Sequence, residues 1–251
     1  MPREFAALTS KYIDRLKQEK LSAYTEDEAA RFFERLSMVI FYTHDARLFS
    51  VQERLARYAR EAGYKLQLDK PLFESALRVG DFESARSIWR QNESVSEIEP
   101  PTILYADAFD PRYRFALSAD LARGGWLAHN VGWEQGAKVF VLTWAECQFT
   151  KRAVEAISAD PELESFFSAS ATWLLEPDAN DDFSFLSGKQ KGVQLGRWAK
   201  IQYMRDWPEF PQKLSPTFVF VKDGKLIQRI DGWEGEKTLK DLRSSVNALA
   251  E

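Results

Sequence analysis

The segment KVFVLTWAECQFTKRAVEAISAD, from Lys138 to Asp160, changes its periodicity in the middle. Its first part is a continuous apolar run of strand length, rich in β-branched and aromatic residues, which reads as a buried strand. From Thr150 onward the apolar residues recur at three and four spacing, which reads as a helix with one buried stripe. A buried strand that turns directly into an amphipathic helix needs a sheet with helices laid across it, and this restricts the region to an α/β architecture. Cys147, the only cysteine in the chain, stands in the turn between the two patterns.

The segments downstream fit the same class. ATWLLEPD is strand-like, SPTFVFVKDGKLIQRIDGW reads as two strands about an Asp223-Gly224 hairpin turn, and GEKTLKDLRSSVNALA is a closing helix. YRFALSA reads as a short strand, while LARGGWLAHNVGWEQGA fits no single period. Upstream the pattern is helical: Phe5, Leu8, Tyr12 and Leu16, then Phe33, Leu36 and Ile40, keep helical spacing. Thr25 with Glu28, and Ser50 with Glu53, fit capping boxes at helix starts. Pro71 opens PLFESALRV, and Gly80-Asp81 separates it from FESARSIWRQ, so the two read as a helical hairpin. The small residues Ala76 and Ala85 suggest one tetratricopeptide-like unit, but no second copy follows at a fixed period, which favours an irregular helical bundle. QNESVSEIEPP is polar and ends in two prolines that resist helix. The expected organisation is an all-α domain over residues 1–100 and an α/β domain over residues 101–251, with its core at about 138–250.

Charge and composition exclude several classes of function. Basic and acidic residues number 34 and 38, for a net charge of −4, so there is no electrostatic footprint for nucleic acid. No apolar run approaches the roughly 20 residues needed to cross a bilayer, so membrane insertion is not expected. The N-terminus lacks the apolar core of a signal peptide; as it stands the sequence reads as cytoplasmic, and as periplasmic if a signal peptide has been removed. One cysteine makes no internal disulfide, and with only His44 and His129 as histidines there is no Cys/His zinc cage. The acidic run EPDANDD, from Glu176 to Asp182, lacks the glycine and distal Glu of an EF-hand loop and reads as a solvated loop. No metal or cofactor is expected.

Two anchors, TWAECQFTK and SPTFVFVKDGKLIQRIDGW, resemble parts of the thioredoxin-like superfamily. The first resembles its strand-to-helix turn with a Trp and a CxxC motif, the second its cis-proline segment and following hairpin, with Ser215-Pro216-Thr217 in place of X-Pro-Thr. The long insertion DFSFLSGKQKGVQLGRWAKIQYMRDWPEFPQK is similar in layout to TlpA-like branches. The resemblance implies a thioredoxin-like fold from about Lys138 to Ala250, a cis bond before Pro216 and a peptide-binding edge at Ser215. Trp144 is implied as a further binding residue. Aligned on Trp144, Cys147 takes the place of the attacking cysteine, Thr150 that of the resolving cysteine, and Leu142 that of a buried acid.

Losing the second sulfur stops a dithiol cycle, in which one thiolate attacks and the other releases the mixed disulfide. A reactive Cys147 is still compatible with physics: a thiol in the first turn of a helix meets free amides and the positive end of the dipole, Thr150 offers a hydroxyl, and Lys151 and Arg152 add charge. His129 is a candidate base. Against this, a lone cysteine is most often a small apolar filler. Seven of the eight tryptophans lie beyond residue 100, at Trp126, Trp133, Trp144, Trp173, Trp198, Trp207 and Trp233, where core packing accounts for most of them. The loss of both the resolving cysteine and the acid places first a redox-inactive module that binds or helps assemble a protein partner. Second stands a monothiol oxidoreductase that forms mixed disulfides through Cys147 with a protein or small thiol. A peroxidase is disfavoured, because its pattern needs a Thr three residues before the cysteine and Thr143 is four before.

Overall fold

The structure is a computed structural model that describes Ile13 and residues 24–97, 99–100, 102–144, 146–177, 185–186, 195–210 and 214–250. Phe5, Leu8, Tyr12 and Leu16 lie outside the described residues, as does most of the acidic run after Pro177. The chain divides into two compact units that part between residues 100 and 101.

The first unit is helical: α1 (Glu26–Thr43), α2 (Ala46–Glu61), α3 (Asp69–Arg78) and α4 (Phe82–Gln91). Thr25 caps α1 through a full capping box, Glu28 Oε2 accepting the Thr25 N–H at 2.9 Å. The second expected capping box is not formed. Ser50 lies inside α2 and donates to the Ala46 carbonyl at 3.2 Å, because Asp45 caps the helix a turn earlier and accepts the Arg47 N–H at 2.9 Å. Similarly, α3 starts at Asp69, so Pro71 sits in its first turn without opening it. The α3–α4 hairpin turns on Gly80, at φ 77°, and Asp81 caps α4 by accepting the Ser84 N–H at 3.0 Å. Ala76 and Ala85 are both fully buried, as are Leu36, Ile40, Leu48 and Leu55, and form the heart of this bundle.

The second unit is one eight-stranded sheet with the order β1-β3-β2-β6-β5-β4-β7-β8. The strands are β1 (Ile103–Tyr105), β2 (Phe115–Asp120), β3 (Gly125–Asn130), β4 (Ala137–Thr143), β5 (Ala171–Leu175), β6 (Arg197–Lys200), β7 (Thr217–Lys222) and β8 (Lys225–Asp231). Helices α5 (Gln148–Ser158) and α6 (Pro161–Ser170) join β4 to β5, and α7 (Glu236–Ala250) lies against β7 and β8. β5 runs parallel to β4, β7 antiparallel to β4 and β8 antiparallel to β7. That order and these directions are those of the thioredoxin-like fold. The β7–β8 turn has Asp223 at φ 48° and Gly224 at φ 79°, the two left-handed positions that a tight hairpin requires and that this dipeptide tolerates. Beyond β5 the sheet continues through β6, β2, β3 and β1, so the expected insertion supplies a strand of its own and the aperiodic stretch supplies β3.

β4 is buried on both sides of the sheet, and its two faces differ. Phe140 and Leu142 join Trp133, Trp207, Phe210 and Val219 in one apolar cluster. Trp133 stacks on Phe140 at 5.0 Å, and the Arg114 guanidinium lies 3.7 Å over the Trp133 ring while forming a two-bonded ion pair with Glu209 at 2.7 and 2.8 Å. On the other face Val139 and Val141 stand in register with Phe220 and Phe218, which meet Phe167 of α6. Thr143 ends this second face, under α5.

Candidate functional site

β4 ends at Thr143, and the chain turns through Trp144 and Glu146 to place Cys147 as the N-cap of α5. The turn is tight: the Cys147 N–H donates to the Trp144 carbonyl at 3.3 Å, and Glu146 has φ 62°, a left-handed conformation that is uncommon for a residue with a side chain. From the other side comes the loop before β7, where the Ser215–Pro216 peptide is cis and Pro216 is buried. Ser215 Oγ–H donates to Cys147 Sγ at 3.3 Å. The thiol, when protonated, has the Ser215 carbonyl as a weak acceptor at 4.0 Å.

Beneath the sulfur lies a cluster of hydroxyls. Thr143 and Thr150 are buried and their oxygens are 2.5 Å apart, and Ser215 Oγ lies 3.2 Å from Thr143 Oγ1 and 3.4 Å from Thr150 Oγ1. The Trp144 carbonyl, 3.2 Å from Thr143 Oγ1, can only accept, either oxygen can donate in the Thr143–Thr150 bond, and Ser215 directs its own proton at the sulfur. Burial pushes the Cys147 thiol up, but the Ser215 hydroxyl, the Thr150 hydroxyl and the amides of Thr150 and Phe149 outweigh it, and the net displacement is downward from the ordinary thiol value. The sulfur closes no capping hydrogen bond of its own, so the amides act on it as the positive end of the helix rather than as direct donors. Lys151, expected to lend charge to the thiol, is ion-paired with Glu146.

Cys147, Thr150 and Ser215 thus come together, with Pro216 adjoining Ser215. Trp144, 43 % exposed, lines a cavity of about 290 Å³ that also borders Cys147, Thr150, Lys151, Glu155 and Trp198. His129 does not belong to this group. It sits on β3, four strand spacings from β4, or roughly 19 Å. There its Nδ1 faces Ser118 Oγ and the Leu127 carbonyl, both at 3.3 Å, and burial lowers its pKa.

Thr143 is the site residue that sequence reasoning passed over. Leu142, in the place of the buried acid, points into the opposite core, and the polar group under α5 comes from the next residue. A threonine at the end of an otherwise apolar buried strand was the available signal. Of the other tryptophans, Trp126, Trp133, Trp173, Trp198 and Trp207 are all buried. Among the described residues no group of His, Cys, Asp and Glu is placed to hold a metal, and no helix is long and apolar enough to cross a membrane.

Among solved structures, the chain is similar to the pneumococcal exposed lipoprotein thioredoxin Etrx1 from Streptococcus pneumoniae, at 9 % identity over 52 % of this chain and 98 % of that one, with a TM-score of 0.38. It is also similar to StoA from Bacillus subtilis, at 11 % identity over 52 % of this chain and 96 % of that one, with a TM-score of 0.34. A thioredoxin-like protein from Bacteroides caccae matches at 13 % identity over 97 % of this chain and 84 % of that one, with a TM-score of 0.38. No family model and no curated protein matches the chain. The thioredoxin-like fold is read from the strand order and directions of the sheet alone.

Proposed function

We propose that this protein is a monothiol exchange module, in which Cys147-Gln148-Phe149-Thr150 is a CxxC turn reduced to one sulfur. The observation that carries the reading is the 3.3 Å bond from Ser215 Oγ to Sγ of a half-buried Cys147 that lines a cavity. A donated hydrogen bond favours the thiolate, which is the nucleophile in disulfide exchange. The Cys147 thiolate attacks one sulfur of a partner disulfide; a bond forms between Cys147 and that sulfur, the partner's S–S bond breaks, and the second sulfur leaves as a thiolate with the electron pair. Release needs an external thiolate to attack the mixed disulfide, because Thr150 supplies no sulfur. Incubation with oxidised glutathione is expected to add one glutathione to the intact mass, and a reducing monothiol to remove it. A native protein that stays unmodified under conditions that modify the unfolded chain would sink the proposal.

A redox-inactive protein-binding module is the second reading, and a specific observation favours it: Trp144, Phe149 and Leu214, beside Cys147 and Ser215 in sequence, are 43 %, 51 % and 45 % exposed. Apolar side chains grouped in this way are characteristic of interaction surfaces. The two readings separate on Cys147→Ser, which abolishes partner capture under the first and leaves partner binding intact under the second.

A further inference from the structure

The cavity at Cys147 is sized for part of a substrate. At about 290 Å³ it falls at the bottom of the roughly 300–1,000 Å³ range of sites that enclose whole small ligands, so it has room for one ring-sized group, and the rest of any peptide joined to Cys147 lies outside it. Its walls are aromatic. Trp198 is 8 % exposed and fixed by its stack on Trp173 at 5.2 Å and its edge contact with Phe185 at 5.7 Å. Trp144 adds an exposed ring, and Val154 an apolar patch one turn along α5 from Thr150. Such surfaces favour a second ring in offset or edge geometry. The polar lining has its own bias. Glu146 and Lys151 form an ion pair, while Glu155 makes no ion pair among the described residues, so the described lining residues sum to one negative charge.

We infer that this cavity receives the aromatic or apolar side chain of the residue flanking a partner polypeptide's cysteine, and disfavours an acidic one, while Cys147 engages the sulfur. The inference rests on the thiol-exchange reading and names the substrate class for it.

Two peptides test it, acetyl-Ala-Cys-Phe-amide and acetyl-Ala-Cys-Glu-amide, each prepared as a mixed disulfide with thionitrobenzoate. The Cys147 thiolate attacks the peptide sulfur, the new Cys147–peptide disulfide forms, and thionitrobenzoate leaves with the electron pair of the broken bond; no external oxidant is needed. Each rate is divided by that of the same peptide with N-acetylcysteine, which removes intrinsic reactivity. The Phe peptide is expected to react about tenfold faster, the advantage of one good aromatic contact. Trp144→Ala is expected to remove most of that advantage, and Glu155→Gln to accelerate the Glu peptide alone, by severalfold; both positions are exposed, so neither change threatens the fold. Equal normalised rates overturn the inference and leave thiol exchange standing. Failure of both peptides to react overturns thiol exchange itself, and the inference with it.

Discussion

At the C-terminal end of β4 its two faces have opposite chemistry, although the residues concerned are separated by one peptide unit. Leu142 belongs to a closed cluster with Trp133, Phe140 and Trp207, braced by Arg114 and Glu209, in which shape and apolar area dominate. Thr143, the next residue, belongs to a group of hydroxyls whose last member reaches a half-buried thiol. The lesson is that the scaffold and the site share a strand but divide its faces. Apolar packing on both faces fixes where β4 lies, and Thr143 at its end uses that fixed position to hold oxygen atoms within hydrogen-bonding distance of a sulfur.

The division can be broken from the packed side. Phe140→Ala removes a fully buried ring and is expected to cost about 3–5 kcal/mol of stability, read by denaturant unfolding. While the protein stays folded, the pH profile of Cys147 alkylation should be unchanged; a displaced profile would mean that the two faces are coupled. From the other side, Ser215→Ala removes the direct donor to the sulfur. It should move the alkylation profile upward in pH and slow labelling at neutral pH severalfold, with a stability change of about 1 kcal/mol. Thr143→Val keeps the shape and leaves Thr150 without its 2.5 Å partner, so a loss of about 1–2 kcal/mol is expected together with a smaller displacement of the profile than Ser215→Ala gives. A larger displacement from Thr143→Val would make the buried hydroxyl, and not Ser215, the main control on the thiol.

The smallest expected effect is on the pH dependence of stability. The folded thiol titrates below its unfolded value, which is near 8.5. The stabilisation is therefore fully present above the unfolded pKa and is lost as the pH falls through the folded one. Stability measured relative to Cys147→Ser should accordingly rise with pH across that window. A flat difference would mean that folding leaves the thiol unperturbed.

The residues that were legible in the sequence were those whose signals are local. Val139 to Leu142 form a continuous apolar run, Asp223-Gly224 specifies a hairpin turn, and α7 shows a full helical period, so each element could be read without its partners. β3 and β6 could not: GWLAHN and RWAK are short and mix polar with apolar residues, and they become strands only through pairing with β2 and β5. Ser50 offered a plausible cap, yet Asp45 stood one turn ahead of it and the apolar residues Leu48 and Phe49 already belonged to the helix. Within the site, Cys147 and Thr150 share a helical turn and were readable together. The Thr143 contribution depends on which face of β4 each residue takes, and the bond between Ser215 and Cys147 joins residues 68 positions apart. Contacts of that kind are set by tertiary structure alone.

The most direct test of the account is the rate of iodoacetamide labelling at Cys147 as a function of pH, in the native protein and in the unfolded chain. Native labelling is expected to titrate below the unfolded thiol and to return toward it in Ser215→Ala. Labelling that appears only on unfolding, or a native profile that coincides with the unfolded one, would contradict it.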